Sequence, residues 1–125
     1  MARHVLNFKK QFAALVESGE KTQTIRAPRK RPICPGDPLR LYTGMRRPEC
    51  RLLGDAICTS VTPIRIDYGV GTPRVIFLNE RRLYSTEAIV FARADGFDRL
   101  SHMLDFFERE HGLPFVGVLI KWRKI

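Results

Sequence analysis

The chain has 125 residues, with 22 Lys and Arg against 13 Asp and Glu, so its formal net charge is +9. That length suits one domain over 1–125, and a hydrophobic fraction of 44% can build a core, which argues against wholesale disorder. No apolar run approaches the roughly 20 residues of a membrane span, and the N-terminal MARHVLNFKKQF lacks the apolar segment of a secretory signal. We therefore expect a soluble, cytoplasmic protein whose positive charge favours a phosphate-bearing partner.

The first half of the chain is predicted to form four strands and one short helix. Phe12, Leu15 and Val16 share one face of the helix, and Gly19 ends it. The strands are HVLNF (4–8), KTQTIR (21–26), PLRLYTG (38–44) and the long LLGDAICTSVTPIRID (52–67), which contains Pro63. Between the second and third strands, three prolines predict a loop over 27–37 that closes in the turn Pro35-Gly36-Asp37.

The second half is predicted to contain a strand, two helices and a closing strand. The elements are RVIFL (74–78), helices over 85–96 and 99–110, and LPFVGVLIKW (113–122), which we expect to be buried on both faces. The order of elements includes few strand-helix-strand repeats, which argues against a doubly wound parallel sheet. We predict an α+β fold, a small and mostly antiparallel β-barrel with about three flanking helices.

The cysteines and histidines do not predict a metal site. The three cysteines, Cys34, Cys50 and Cys58, lack the Cys-x-x-Cys spacing, and the three histidines form no short-spaced pair with them. Reduced thiols are expected in a core-forming cytoplasmic domain. We predict no metal and no cofactor.

Positive charge is concentrated between residues 26 and 51. This segment has eight cationic and two acidic residues, a net of +6. Arginine binds phosphate through a planar fork, and an aromatic ring such as that of Tyr42 can stack on a base. The predicted ligand-binding residues are Arg26, Arg29, Lys30, Arg31, Tyr42, Arg46, Arg47 and Arg51. The alternative is a pair of solvated loops that bind nothing.

The segment Gly19-Glu20-Lys21-Thr22-Gln23-Thr24-Ile25-Arg26 stands directly before this basic region. By pattern alone it is an exposed, β-prone strand after a helix end. It also resembles the G-x-K-x-x-x-x-R signature of the ASCH domain, a family of the PUA-like superfamily. Further similarities follow in the same order along the chain: the Pro35-Gly36-Asp37 turn, the Ala92-x-x-Asp95-Gly96-Phe97 step, and a last helix before a strand that ends near Trp122. Nearly the whole chain resembles the small stand-alone ASCH proteins of bacteria and their phages.

The resemblance implies a PUA-like barrel that recognises RNA or a modified nucleotide. Some small family members are amidohydrolases that deacylate N4-acetylcytidine, and another is a ribonuclease. The hydrolase residues map by position onto Lys21, Thr24 and Asp95, where aspartate stands in place of the family's glutamate. In that mechanism Thr24 attacks the amide carbonyl, Lys21 takes the hydroxyl proton, Asp95 orients Lys21 or protonates the leaving amine, and Arg26 stabilises the oxyanion or holds a phosphate.

Strand geometry limits this mechanism, because residues three apart in a regular strand point to opposite faces. Lys21 can therefore reach Thr24 only if it belongs to the turn before the strand, or if its long side chain curls over the end of the strand. Three functions remain open: an RNA- or nucleotide-binding domain, an amidohydrolase acting on N4-acetylcytidine-like nucleosides, and a single-strand-specific ribonuclease. The basic segment favours a polymeric partner.

Overall fold

A computed structural model describes the protein, and the description below concerns residues 3–71 and 74–125. In chain order its elements are β1 His4–Phe8, α1 Lys10–Ser18, β2 Gln23–Arg26, β3 Pro38–Thr43, β4 Arg51–Asp67, β5 Val75–Leu78, β6 Arg81–Arg82, α2 Ser85–Ala94, α3 Leu100–His111 and β7 Phe115–Lys124. The α+β class is confirmed, as is the predicted order of elements, to which the structure adds the two-residue β6. Within these residues no helix is long and apolar enough to cross a membrane.

The strands belong to one seven-stranded, mostly antiparallel sheet. β1 pairs with β3 in parallel, with Phe8 opposite Thr43. β3 with β4, β4 with β5, and β5 with β6 are antiparallel pairs. β7 pairs with both β2 and β4. The chain divides into two compact units, the first comprising Met1–Thr24, Arg29–Val61 and Ile120–Ile125, and the second comprising Ile25–Pro28 and Thr62–Leu119.

The first unit packs α1 against the parallel pair. Its buried apolar side chains include Leu6, Phe8, Phe12, Val16, Leu39, Leu41, Leu53, Ala56 and Trp122. The strand predicted over 38–44 is confirmed as β3, in which Leu39 and Leu41 are buried while Arg40 and Tyr42 are half-buried. The Phe8 and Trp122 rings meet edge to face with their centroids 5.7 Å apart, a geometry that aromatic pairs favour.

The turn before β3 is held by a buried polar group. The Asp37 Oδ2 atom accepts a hydrogen bond from the Cys34 backbone N–H at 2.9 Å and lies 3.2 Å from His4 Nε2. Gly36, at φ +94°, takes the left-handed conformation that the Pro-Gly-Asp turn requires. The predicted turn is thus a junction that ties β1 to the start of β3.

The second unit has an aromatic core between α3 and β7. The helix predicted over 99–110 is confirmed as α3, on which Met103, Leu104 and Phe107 are buried. Phe107 lies 5.3 Å from Phe115 between ring centroids. A Cβ atom at Gly117 would collide with the carbonyl oxygen of Arg26 and the Phe115 ring, so only glycine fits there.

The prediction that the last strand is buried on both faces is wrong. β7 has the burial pattern of an alternating strand toward its ends, with Val116 61% exposed and Lys121 also exposed. Buried residues flank each of these two, so β7 presents a second face to solvent. Two consecutive residues are buried only in the middle of the strand, at Leu119 and Ile120.

Candidate functional site

The parallel pairing of β1 and β3 brings together two distant parts of the sequence. Parallel strands end at the same edge of a sheet. Because Phe8 is opposite Thr43, the start of α1 and the loop 44–50 leave the sheet side by side. Two hydrogen bonds fix the loop there: the Thr43 hydroxyl donates to the Phe8 carbonyl at 2.8 Å, and the Met45 N–H donates to Asn7 Oδ1 at 3.1 Å.

A groove of about 700 Å³ lies between α1 and this loop. Its lining consists of Asn7, Phe8, Lys9, Lys10, Ala13, Ala14, Thr43, Gly44, Met45, Arg47, Glu49 and Arg51. Four cationic side chains and one carboxylate therefore surround an apolar floor. That combination suits a ligand that carries both negative charge and a planar or apolar surface.

The loop that forms one wall of the groove is tightly turned. The Arg47 N–H donates to the Gly44 carbonyl and the Cys50 N–H donates to the Arg47 carbonyl, each at 3.0 Å. Arg46 is left-handed at φ +68°, a conformation that costs a non-glycine residue energy and that clusters at binding sites. Both arginines are exposed, and Arg47 is held only loosely by Glu49, at 4.0 Å.

The other wall of the groove is the start of α1, a position where positive charge is ordinarily unfavourable. Lys9 is the N-cap of α1 and Lys10 its first residue, yet the first turn contains no acidic side chain and no side chain caps the helix. The N-terminal end of a helix has a partial positive charge, so two lysines there repel it. A local rule broken in this way is typical of residues retained for binding.

The predicted binding residues are split between this groove and other places. Arg47 and Arg51 line the groove, and Arg46 lies in its loop. Arg51 already has an acidic partner, because its Nη1 atom donates a hydrogen bond to Glu17 Oε2 at 2.5 Å.

The first basic loop lies elsewhere in the first unit. Arg29, Lys30 and Arg31 are exposed, and none of the three is among the described residues that line the groove. Arg29 Nη2 donates to the backbone carbonyl of Val5 in β1 at 3.2 Å. Part of the loop's charge therefore braces β1.

Tyr42 and Arg26 are set into strands rather than displayed on loops. Tyr42 is half-buried in β3, opposite Leu52, next to a register shift between Leu41 and Tyr42. Arg26 is half-buried as the last residue of β2. Neither side chain lies among the described residues of the groove wall.

Lys21 and Thr24 are both buried in the first unit, at 3% and 6% exposure. β2 begins at Gln23, so Lys21 belongs to the turn before the strand and is not bound by strand alternation. Its backbone N–H donates to the Leu15 carbonyl at 2.9 Å, and its Nζ atom lies 5.0 Å from the centroid of the Phe12 ring. The alternative of an exposed strand is wrong, because Gln23, Thr24 and Ile25 are buried in succession.

Asp95 belongs to the second unit, where it is the C-cap residue of α2 and only 3% exposed. Its N–H donates to the Phe91 carbonyl at 3.1 Å, and Gly96 follows it at φ +98°. Burial of a carboxylate is costly unless the group is bound. Its action together with Lys21 and Thr24 stays a prediction.

Sequence reasoning missed Lys9 and Lys10. They lie about 35 positions before the second basic loop, and only the register of a parallel strand pair reveals that the two segments are neighbours. The available signal was the pair of lysines at the start of a helix without an acidic first turn. Among the described residues there is no group of three or more His, Cys, Asp or Glu that could hold a metal ion.

Comparison of the chain with family models, curated proteins and solved structures found no match.

Proposed function

We propose that the protein binds single-stranded RNA, with the phosphate backbone in the groove between α1 and the loop 44–50. The observation that carries this proposal is the groove itself, which Lys9, Lys10 and Arg47 line together with apolar side chains. The resemblance to ASCH domains, and with it a PUA-like barrel, is part of the same proposal and supports RNA over other polyanions.

The uneven pairing of charge supports the same function. Some other arginines of the first unit are held at short distance by carboxylates, as Arg40 is by Asp55 at 3.0 Å. Lys10 has no partner among the described residues, and Arg47 has only the 4.0 Å contact to Glu49. Cations without close partners keep their charge available for phosphate oxygens.

A charge-matched pair of double variants tests this proposal. Lys10→Gln with Arg47→Gln removes two charges from the groove, whereas Lys30→Gln with Arg31→Gln removes two from the exposed first basic loop. Binding of a fluorescent oligouridylate is followed by anisotropy. We expect the groove variant to bind about a hundredfold more weakly, since two charge-assisted contacts of about 1.5 kcal/mol each are lost.

The control variant should bind within about threefold of the wild type, because its charges lie outside the groove. Equal weakening by both variants would mean that net charge alone attracts RNA, and the groove would lose its role. Shortening of the labelled RNA during the measurement, abolished in the Lys21→Met variant, would instead indicate the ribonuclease.

A second candidate function is supported by the burial of Lys21 and Thr24 at the start of β2. We infer that these two residues serve an amidohydrolase acting on N4-acetylcytidine-like nucleosides. Thr24 Oγ forms an ester with the acyl carbon while the bond to the exocyclic nitrogen breaks, Lys21 accepts the hydroxyl proton, and water then hydrolyses the ester. Asp95 enters this scheme through the resemblance alone, as the group that orients Lys21 or protonates the leaving amine.

The hydrolase is tested by incubating the protein with N4-acetylcytidine and separating cytidine by chromatography. We expect release by the wild type, loss of release in Lys21→Met and Thr24→Val, and unchanged release in Lys121→Met, which removes an exposed lysine from β7. Absence of cytidine with the wild-type protein would remove this candidate and leave the RNA-binding proposal intact.

A further inference from the structure

A second cavity, of about 180 Å³, lies within the second unit. Its lining consists of Arg74, Val75, Ile76, Arg82, Leu83, Tyr84, Ser85, Ala88, Leu100 and Leu104. The apolar members are mostly buried, and they come from β5, the segment after β6, and both helices of the unit. The cavity is therefore a small apolar chamber with two arginines on its wall.

The two arginines differ in how their charge is used. Arg74 Nη1 donates to Asp105 Oδ1 at 2.6 Å and to Glu108 Oε1 at 3.2 Å, so its charge is fully compensated. Arg82 has no carboxylate partner among the described residues. Its Nε atom is buried without any hydrogen-bond partner in the described chain. A buried donor without an acceptor costs about 1–3 kcal/mol, so its retention calls for a function.

The neighbouring residues hold Arg82 in place rather than neutralise it. Its Cζ atom lies 4.7 Å from the centroid of the Tyr84 ring, and such stacking fixes the plane of the guanidinium. Arg81, the preceding residue of β6, points away and is bound by both carboxylate oxygens of Glu87, at 3.1 and 2.9 Å. One strand thus supplies one neutralised arginine to the surface and one uncompensated arginine to the cavity.

The charge balance and the volume define the ligand. Arg74 and Arg82 bring two positive charges, and Asp105 and Glu108, which bind Arg74, bring two negative charges. A dianion such as inorganic phosphate would meet the repulsion of those carboxylates, whereas a monoanion needs only Arg82. A planar carboxylate matches the fork of a guanidinium, and the apolar lining accommodates a short hydrocarbon chain.

We propose that this cavity binds a short-chain monocarboxylate, with its carboxylate on Arg82 and its hydrocarbon chain against Ala88 and Leu104. This site is separate from the proposed RNA groove, since all of its lining residues belong to the second unit. Neither the RNA-binding proposal nor the hydrolase depends on it.

Sodium butyrate is the probe, titrated into the isotope-labelled full-length protein and followed by NMR. We expect saturable shifts of the Arg82 Nε–H signal and of the Ala88 and Leu104 amide signals. Butyramide, which has the same shape without the charge, and inorganic phosphate should each leave these signals nearly unmoved. Equal binding of butyramide, tighter binding of phosphate, or no saturable shift with butyrate would each overturn the proposal.

Substitutions test the guanidinium and the apolar lining of the site one at a time. Arg82→Lys keeps the charge but removes the planar fork, and should weaken butyrate binding at least about tenfold. Arg81→Lys is the matched control on the same strand and should change the affinity by no more than about twofold. Ala88→Leu fills the cavity and should abolish binding while Arg82 is retained. Retention of wild-type affinity in both Arg82→Lys and Ala88→Leu would refute the assignment.

Discussion

Replacing Lys10 and Arg47 by glutamine should flatten the salt dependence of RNA binding. Binding of a cation to nucleic acid phosphate releases a counterion, so the logarithm of affinity falls linearly with the logarithm of salt concentration. The slope therefore counts the phosphate contacts that the groove makes. It distinguishes a groove that follows the RNA backbone from a site that holds a single base.

The magnitude follows from the lining of the groove. Of its four cations, Arg51 is already held by Glu17 at 2.5 Å, whereas Lys10 and Arg47 lack a close carboxylate partner among the described residues. At about −0.7 per contact on a single strand, these two cations contribute about −1.4 to the slope, or a loss of about sevenfold between about 50 and about 200 mM salt. The double variant removes both contacts, so its slope should lie closer to zero than that of the wild type by about 1.4.

Fluorescence anisotropy titrations of a labelled oligouridylate at several salt concentrations measure both slopes. The Lys30→Gln with Arg31→Gln variant has the same net charge as the groove variant and should keep the wild-type slope. A wild-type slope near zero, or the same flattening in both variants, would refute the assignment of phosphate contacts to the groove. Circular dichroism establishes that the variants are folded before the slopes are compared.

Three further predictions concern the scaffold around the sites. Asp37→Ala should lower the free energy of unfolding by about 3 kcal/mol in urea titrations, because buried His4 and a backbone N–H lose their acceptor; a loss below about 0.5 kcal/mol would contradict this role. Burial raises the pKa of the Cys58 thiol, so at mildly alkaline pH a thiol reagent should modify the two exposed cysteines quickly and Cys58 only after unfolding; three equally fast thiols would contradict it. Gly117→Ala should cost about 2 kcal/mol or more, since its methyl group meets the Arg26 carbonyl, and an unchanged melting temperature would show that the two strands can separate without penalty.

Local pattern was sufficient to predict most of the fold. The apolar stripe of α3 and the alternation of β3 each report one buried face, and both elements were predicted close to their observed bounds. β6 has only two residues, Arg81 and Arg82, and two residues contain no periodicity to detect. The burial of β7 was misjudged from the largely apolar run 113–122, because composition does not reveal which face of a strand is covered.

The candidate sites could be predicted only in part. Strand geometry indicated that Lys21 could approach Thr24 if it lay in the turn before β2. The structure places Lys21 in that turn, because β2 begins at Gln23. The groove could not be predicted, because it depends on which strands pair and in which direction. Likewise, total charge did not separate Arg82, which has no carboxylate partner among the described residues, from Arg81, which is bound by Glu87.

The parallel pairing of β1 with β3 also makes the proposed RNA binding depend on a late stage of folding. Its partners are about 35 residues apart in the chain, and contacts of that separation require closure of a long loop before they gain energy. A partly folded chain in which β1 has not paired with β3 lacks one wall of the groove, even if its helices and hairpins have already formed. Bound RNA should therefore slow amide exchange most strongly in His4–Phe8, the strand whose undocking it opposes.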